Sequence, residues 1–235
     1  MDAFRLYSSW REDLIFMNLD FSQVMPSLPY ILKGVMVTLE IVIVAGLLGF
    51  ALGIILALFK ISSIKALGWF ADVYTSIFRG TPLVLQVMLI YYGSPQLIGY
   101  QIEPYTAAVL SFGLNSAAYI SEIIRAGILA VDKGQQEAAM ALGVPYKRMM
   151  WDIILPQALK NILPALMNEF ITLTKESAIV TVIAVDDIMR RAYIVGGEKY
   201  RFFEPLILAG LIYYVMVITL TFTGKALERR MRRSD

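Results

Sequence analysis

Between residues 34 and 59 the chain reads GVMVTLEIVIVAGLLGFALGIILALF, and Glu40 is the only charged residue in this run. A helix needs about 20 mostly apolar residues to cross the roughly 30 Å of hydrocarbon in a bilayer. The run exceeds that length. It therefore predicts that this chain is an integral membrane protein.

The composition of the whole chain agrees with this prediction. Of its 235 residues, 58% are hydrophobic and 17% are charged, whereas soluble domains carry about 25% charged residues. Cysteine and histidine are both absent, which excludes disulfides, thiolate or imidazole metal ligands and His-dependent catalytic groups. We therefore predict no metal site and no enzymatic activity in this chain. The net charge of +2 gives no reason to expect a nucleic-acid partner.

The apolar stretches predict one all-α domain over residues 1–235 with five transmembrane helices. The expected spans are roughly residues 30–60, 66–93, 104–125, 161–185 and 204–228. The fourth is the least apolar, since it contains Glu169, Lys175 and Glu176. It forms either one helix or two shorter helical pieces.

Lysine and arginine are concentrated in the connections after the first, third and fifth predicted spans. Cytoplasmic connections carry the excess of these residues. We therefore expect the N-terminus outside the cell and the C-terminus in the cytoplasm.

The first span carries small residues at four-residue spacing: Ala45, Gly49, Gly53 and Ala57. Small residues on one helix face allow two backbones to approach closely in lipid. This stripe predicts a tight helix–helix contact, within one subunit or between subunits. The alternative is that glycine is simply more frequent in membrane helices.

The connection at residues 130–157 has a distinctive pattern. Glu137-Ala138-Ala139 is followed after three residues by Gly143 and, after nine more, by Ile153-Ile154-Leu155-Pro156. Gly and Pro interrupt helices. We therefore expect a short helix that ends at Gly143, a restart near Pro145 and a second stop at Pro156.

This pattern resembles the EAA loop of ABC importer permeases, the coupling helix that docks on the ATPase subunit. The resemblance implies an ATPase-coupling role for Glu137, Ala138, Ala139, Gly143, Leu155 and Pro156. It extends over roughly residues 25–230, through a family-like turn at Phe78–Leu83 in the second span, Leu114–Tyr119 with Glu122, and Asn168-Glu169 through Lys175 with Ser177. These segments are similar to those of the histidine, glutamine and arginine permease subunits.

The resemblance implies the fold of a type I ABC importer permease in the bacterial cell membrane. It further implies ABC ATPase subunits, a second permease subunit of the same or a related sequence, and an extracytoplasmic solute-binding protein. The chain lacks a P-loop, because its one Gly-Lys pair, Gly224-Lys225, is followed by alanine. ATP and Mg²⁺ are therefore expected on the partner ATPase, and no cofactor is expected in this chain.

Polar residues inside the spans are costly in lipid and commonly face a cavity or a partner. Helical geometry places Asn115, Tyr119 and Glu122 on one side of the third span, and the polar residues of the fourth span on one side of that helix. The substrate-binding candidates are Arg79, Asn115, Ser116, Tyr119, Glu122, Asn168, Glu169, Thr172 and Lys175.

An amino acid needs a carboxylate for its ammonium group and a cation for its carboxylate. Glu122, Glu169 or Glu176 could supply the first, and Lys175 or Arg79 the second, with the acid excess favouring a cationic amino acid. The alternative is that the charges neutralise one another, with Lys175 beside a glutamate and Arg79 beside Asp72.

Other functions remain open at this point. The solute could be glutamine, cystine, an opine-like compound or another small polar molecule. A membrane enzyme would need a buried nucleophile and base, for which no catalytic signature is present, and a passive channel subunit would not need the coupling loop. Finally, the charged segment from Asp186-Asp187 to Lys199 predicts an external helix and loop on which the solute-binding protein docks.

Overall fold

The computed structural model describes residues 19–232, with side chains described as far as residue 229. All regular elements in this part of the chain are helical, which confirms the predicted all-α class. The α-helices are α1 (Leu28–Ile61), α2 (Lys65–Gly80), α3 (Leu83–Ile98), α4 (Pro104–Leu129), α5 (Lys133–Ala141), α6 (Tyr146–Arg148), α7 (Leu155–Glu176), α8 (Ile188–Lys199) and α9 (Phe203–Arg232). Most of the segment in front of the first span lies outside the described residues.

Within residues 19–232, three helical stretches are long and apolar enough to cross a membrane. They contain α1, α4 and α9 and coincide with the predicted spans 30–60, 104–125 and 204–228. At 34 residues, α1 is about 50 Å long, so it extends beyond the hydrocarbon core. The number of five spans stays a prediction, because the other two predicted spans are not single apolar α-helices.

The predicted second span, residues 66–93, is wrong as one continuous helix. It consists of α2 and α3, which are bent by 100° at Thr81-Pro82. Thr81 has extended backbone angles, as expected for a residue before proline. Pro82 itself is the N-cap of α3. The break falls within Phe78–Leu83, where the resemblance to the permease family predicted a turn.

The region around the predicted fourth span, residues 161–185, also differs. Helix α7 begins earlier, at Leu155, and is followed by a 3₁₀ helix at Ser177–Ile183. The predicted stop at Pro156 is wrong. A π-helical segment, Met149–Ile154, leads directly into α7, and Pro156 lies in the first turn of that helix, where its missing N–H costs little.

The small-residue stripe of α1 packs against α4. Ala45, Gly49, Gly53 and Ala57 are all buried. A Cβ atom on Gly53 would lie 2.7 Å from Ile120 Cγ2, and one on Gly49 would lie 2.9 Å from Ser116 Cβ. The predicted tight contact therefore lies within one subunit, and it makes α4 the central, most deeply packed helix of the fold.

Candidate functional site

The coupling hairpin begins with a well-defined short helix. Asp132 caps α5 by accepting a hydrogen bond from the Gly134 amide. At the other end Gly143 has a φ of +69°, while the Val144 amide donates to Ala139 O at 2.9 Å and the Gly143 amide to Met140 O at 3.0 Å. This pair of bonds is a Schellman motif, which uses glycine in the left-handed conformation. The predicted helix end at Gly143 is confirmed, and α6 starts just after Pro145 as expected.

The two faces of α5 differ sharply. Ala139 is buried and packs in a small cluster with Met149 and Ile154. Met140 and Leu142 are exposed, Leu142 at 83% of its surface. The inner face thus joins α5 to the starts of α6 and α7, whereas the outer face presents Met140 and Leu142 beside polar residues such as Glu137.

The coupling candidates are distributed over both faces. Glu137, Ala138, Gly143 and Pro156 are exposed, Leu155 is half-buried, and Ala139 is buried. Ala139 therefore connects the hairpin to the membrane helices. The exposed members are the ones available to another protein.

The break between α2 and α3 is held by two side-chain amides. Gln86 Nε2 donates to Phe78 O at 2.9 Å and to Thr81 Oγ1 at 2.8 Å. Asn115 Nδ2, from α4, donates to Phe78 O at 3.1 Å and to Gln86 Oε1 at 2.9 Å. Carbonyls freed by a break inside a membrane need such partners. Asn115 therefore stabilises the break between α2 and α3.

Gln86 is a residue that sequence reasoning missed. It is buried, and its side-chain amide donates to the backbone carbonyls left without helical partners at the bend. The signal was available, since an amide side chain follows Thr81-Pro82 by one helical turn in an otherwise apolar run.

Glu122 belongs to an ion-pair cluster that joins α1, α2 and α4 around the buried Lys60. Lys60 Nζ lies 2.6 Å from Glu122 Oε1 and 2.9 Å from Asp72 Oδ1, and the Lys60 side chain is only 4% exposed. The second Glu122 oxygen accepts from Arg125 at 2.9 Å. Both carboxylate oxygens are thus engaged by this chain. The anticipated pairing of Arg79 with Asp72 is wrong, because Asp72 pairs with Lys60.

Glu169 lies at the contact between α4 and α7. Ser116 Oγ donates to Glu169 Oε1 at 3.0 Å, and Ser116 is buried. Glu169 also lines an apolar cavity of about 300 Å³ between α1 and α7, together with Gly46 and Phe170. One candidate pair, Ser116 and Glu169, is therefore brought together by the fold.

The remaining candidates lie on open surfaces. Asn168 and Lys175 are exposed on α7 and Thr172 is half-buried. On the other side, the Arg79 guanidinium lies 5.2 Å from the centroid of the Tyr119 ring, and both side chains are exposed.

The predicted shared cavity is not assembled by the contacts of one chain. The polar side chains of Asn115 and Glu122 on α4 bond to groups of α1, α2 and α3. The polar residues of α7 lie beside α1 and α4, so the two sets do not surround one cavity.

Helix α8 is the predicted external helix, and its start is anchored in the fold. Asp187 is buried and accepts from the Arg190 amide and the Tyr213 hydroxyl, both at 2.8 Å. Burial raises the pKa of the Asp187 carboxyl, and these hydrogen bonds oppose the rise. Asp187 therefore positions α8. Among the predicted docking charges, exposed residues such as Glu198 and Lys199 are the ones at the surface.

Among residues 19–232 no group of acidic side chains is arranged to hold a metal ion. Several apolar helices, a span broken at Thr81-Pro82 and a hairpin that exposes Met140 and Leu142 together define a class: a multi-pass membrane subunit of a transport system. The chain belongs to the family described as the binding-protein-dependent transport system inner membrane component, whose model matches residues 49–233.

Relatives of known name share most of the chain. The arginine transport system permease protein ArtQ of Bacillus subtilis (strain 168) is 62% identical over 93% of this chain and 100% of its own length. The putative glutamine transport system permease protein GlnP of Rickettsia felis is 48% identical over 88% of this chain and 94% of its own.

Solved structures agree. A chain in the crystal structure of an amino acid ABC transporter with histidines has a TM-score of 0.88 at 46% identity, covering 91% of this chain and all of that one. A chain of the inward-facing MetNI methionine ABC transporter has a TM-score of 0.73 at 22% identity, covering 88% and 98%. The latter shows a common fold alone.

Proposed function

We propose that this permease imports a cationic amino acid of the arginine class and is driven by ATP hydrolysis on separate subunits. The observation that carries the substrate class is the 62% identity, over the relative's full length, to a permease named for arginine. The glutamates at positions 169 and 176 of α7, against the single Lys175, favour the same charge class, because carboxylates bind guanidinium and ammonium groups.

Energy coupling is assigned to the hairpin at residues 130–157. An ATPase subunit, which carries ATP and Mg²⁺, binds the exposed face formed by Glu137, Ala138, Met140 and Leu142. The left-handed turn at Gly143 directs the chain away from that face. Motion of α5 then reaches α4 and α7 through the cluster around Ala139, which contains residues adjoining both helices.

The substrate path is assigned to the surfaces that one chain leaves open. Asn168, Thr172 and Lys175 on α7 face it, with Glu169 at its edge, and Arg79 with Tyr119 contributes from the α2–α4 side. A second permease subunit, a copy or a related chain, completes the path. Asn115 and Glu122 act mainly through the structure, since their polar groups already bond to this chain.

The orientation follows from the positive charges of the connections. The N-terminus lies outside and the C-terminus in the cytoplasm of a bacterial cell. Helix α8 then lies on the outer side, where the extracytoplasmic solute-binding protein docks on its exposed charges.

The substrate assignment is tested with the complete transporter, reconstituted with its binding protein. Arginine, lysine, histidine and glutamine are compared for uptake and for stimulation of ATP hydrolysis. We expect arginine or lysine to be preferred, and Glu169→Gln to lower their uptake at least tenfold. Glu103→Gln is the control, because Glu103 is exposed and its side chain makes no capping bond. A preference for glutamine that survives Glu169→Gln would refute the cationic assignment.

The coupling assignment is tested with two equivalent apolar side chains. Leu142 and Leu97 are each 83% exposed, but only Leu142 lies on the coupling hairpin. Leu142→Glu should abolish co-purification of the ATPase and uptake, whereas Leu97→Glu should leave ATPase association unchanged. Normal ATPase association in Leu142→Glu would contradict the proposed docking face.

A further inference from the structure

A second cavity, which shares Phe50, Leu163 and Leu166 with the cavity that Glu169 lines, lies between the ends of α1 and α4 and the start of α7. It measures about 500 Å³ and is lined almost entirely by apolar side chains such as Ile54, Leu58, Ile128 and Leu159. Such a lining has no group to pair with the charges of an amino acid. The shape and chemistry suit a hydrocarbon chain.

The mouth of this cavity has a different character. Tyr146 and Trp151 line it and are 68% and 64% exposed. Tyrosine and tryptophan are enriched where a membrane meets water, because their rings are apolar and their polar edges reach headgroups. An apolar cleft ending in two such rings is arranged like a path from the hydrocarbon to the headgroup region.

Two basic residues follow Tyr146 in the chain. Lys147 and Arg148 are both exposed on α6, directly after Tyr146, and they outnumber the one neighbouring acid, Asp152. Cationic residues at the cytoplasmic membrane surface attract anionic lipid headgroups. Exposed cations next to a lining residue, Tyr146, therefore complement a phosphate that carries no compensating amine.

We propose that this cleft binds one anionic phospholipid of the cytoplasmic leaflet. An acyl chain fills the space between α1 and α7, and the phosphodiester lies against Lys147 and Arg148. The bound lipid adjoins the π-helical segment Met149–Ile154, the connection between the coupling hairpin and α7. The proposal rests on the proposed orientation, which places α6 at the cytoplasmic surface.

Trp151 itself reports on the lipid beside it. The assembled transporter carries Trp10→Phe and Trp69→Phe, so that Trp151 is the tryptophan left in this chain. It is placed in bilayers that contain brominated phosphatidylglycerol or brominated phosphatidylcholine, and the quenching of tryptophan fluorescence by each lipid is measured. Subtracting the signal of the same complex with Trp151→Phe removes fluorescence from the other subunits. Trp69 as the single reporter serves as the control site, since it is equally open, at 69% exposure, and lies on α2.

At Trp151 we expect phosphatidylglycerol to bind about fivefold more tightly than phosphatidylcholine, the effect of roughly one net positive charge near the surface. The double variant Lys147→Gln/Arg148→Gln should lose this preference, and Lys33→Gln, at the opposite end of α1, should keep it. Trp69 should show a weaker preference, because Lys65, one turn away on α2, is the single exposed base beside it in the chain.

Two outcomes overturn the proposal. Equal quenching by both lipids at Trp151 means ordinary annular lipid, and no quenching by either means that another protein chain covers the cleft. Quenching requires no transport, so this result is independent of the uptake assays for the proposed function.

Discussion

The contact between α1 and α4 yields a sharp prediction at Gly53. A Cβ atom added there would lie 2.7 Å from Ile120 Cγ2, 2.8 Å from Ile120 Cβ and 3.2 Å from Ala117 O. Two of these three atoms belong to the backbone or sit next to it, so the helices must separate to admit a methyl group. Such overpacking costs about 1–3 kcal/mol.

Gly210 provides the matched control. It also lies within a membrane helix, α9, but a Cβ atom there would meet nothing within 4 Å. Replacing glycine by alanine in a helix interior gains about 0.5–1 kcal/mol at either position. This gain cancels when the two variants are compared. Gly53→Ala should therefore be less stable than Gly210→Ala by about 1–3 kcal/mol, the cost of the overpacking alone.

The measurement is unfolding of the purified protein by increasing SDS in mixed micelles, followed by tryptophan fluorescence. Gly210→Ala should unfold at the same or a higher SDS fraction than the unsubstituted protein, and Gly53→Ala at a lower one. Adding Ile120→Ala should reduce the effect of Gly53→Ala, because it removes the nearest atom. Equal stability of Gly53→Ala and Gly210→Ala would refute the close packing of α1 on α4.

Three further predictions concern polar and turn residues. Lys60→Met removes the buried cation that bonds to Glu122, which keeps Arg125, and to the exposed Asp72; it should destabilise the protein by about 1–3 kcal/mol, measured by the same SDS titration, and the double variant Lys60→Met/Glu122→Gln should recover part of the loss. Gln86→Leu removes the hydrogen bonds across the break between α2 and α3 and should lower the free energy of unfolding by about 1–3 kcal/mol. Loosening of the bend should appear as faster hydrogen exchange at residues 78–86, and unchanged exchange would contradict the role of Gln86. Gly143→Ala forces alanine into the left-handed region at about 1–2 kcal/mol, and should lower coupled ATP hydrolysis before it lowers assembly, as judged by ATPase activity and co-purification.

Much of the helical architecture was predictable because one physical requirement dominates it. Lipid admits only long apolar helices with internally bonded backbones, so the runs that form α1, α4 and α9 are visible in the sequence. The small-residue stripe and the helix end at Gly143 were equally predictable from the sequence, because each depends on the local requirement for a small side chain or a left-handed backbone. Their partners were not, and only the fold showed that the stripe faces α4 of the same chain.

The errors share another cause. Hydropathy sums over a window, so it merged α2 and α3 into one span, and only the resemblance to the permease family indicated the turn within Phe78–Leu83. Pro156 was expected to stop a helix, whereas the preceding π-helical segment allows the chain to continue. Asp72 had two cations within plausible reach. Its choice of Lys60 over Arg79 depends on how three helices meet, and no local pattern contains that information.

The polar residues of the spans divide into two groups, and the division bears on how the subunit works. Lys60, Glu122 and Asn115 have partners inside the chain and stabilise the junctions between helices. Arg79 and Lys175, by contrast, are exposed, and a charge facing lipid at mid-membrane costs roughly 2.5–3.5 kcal/mol on insertion scales. Such a cost is avoided when these surfaces face water or another polar protein surface. The open polar faces of one chain therefore favour a paired subunit and an aqueous path between the two, which is the arrangement in which an amino acid could pass.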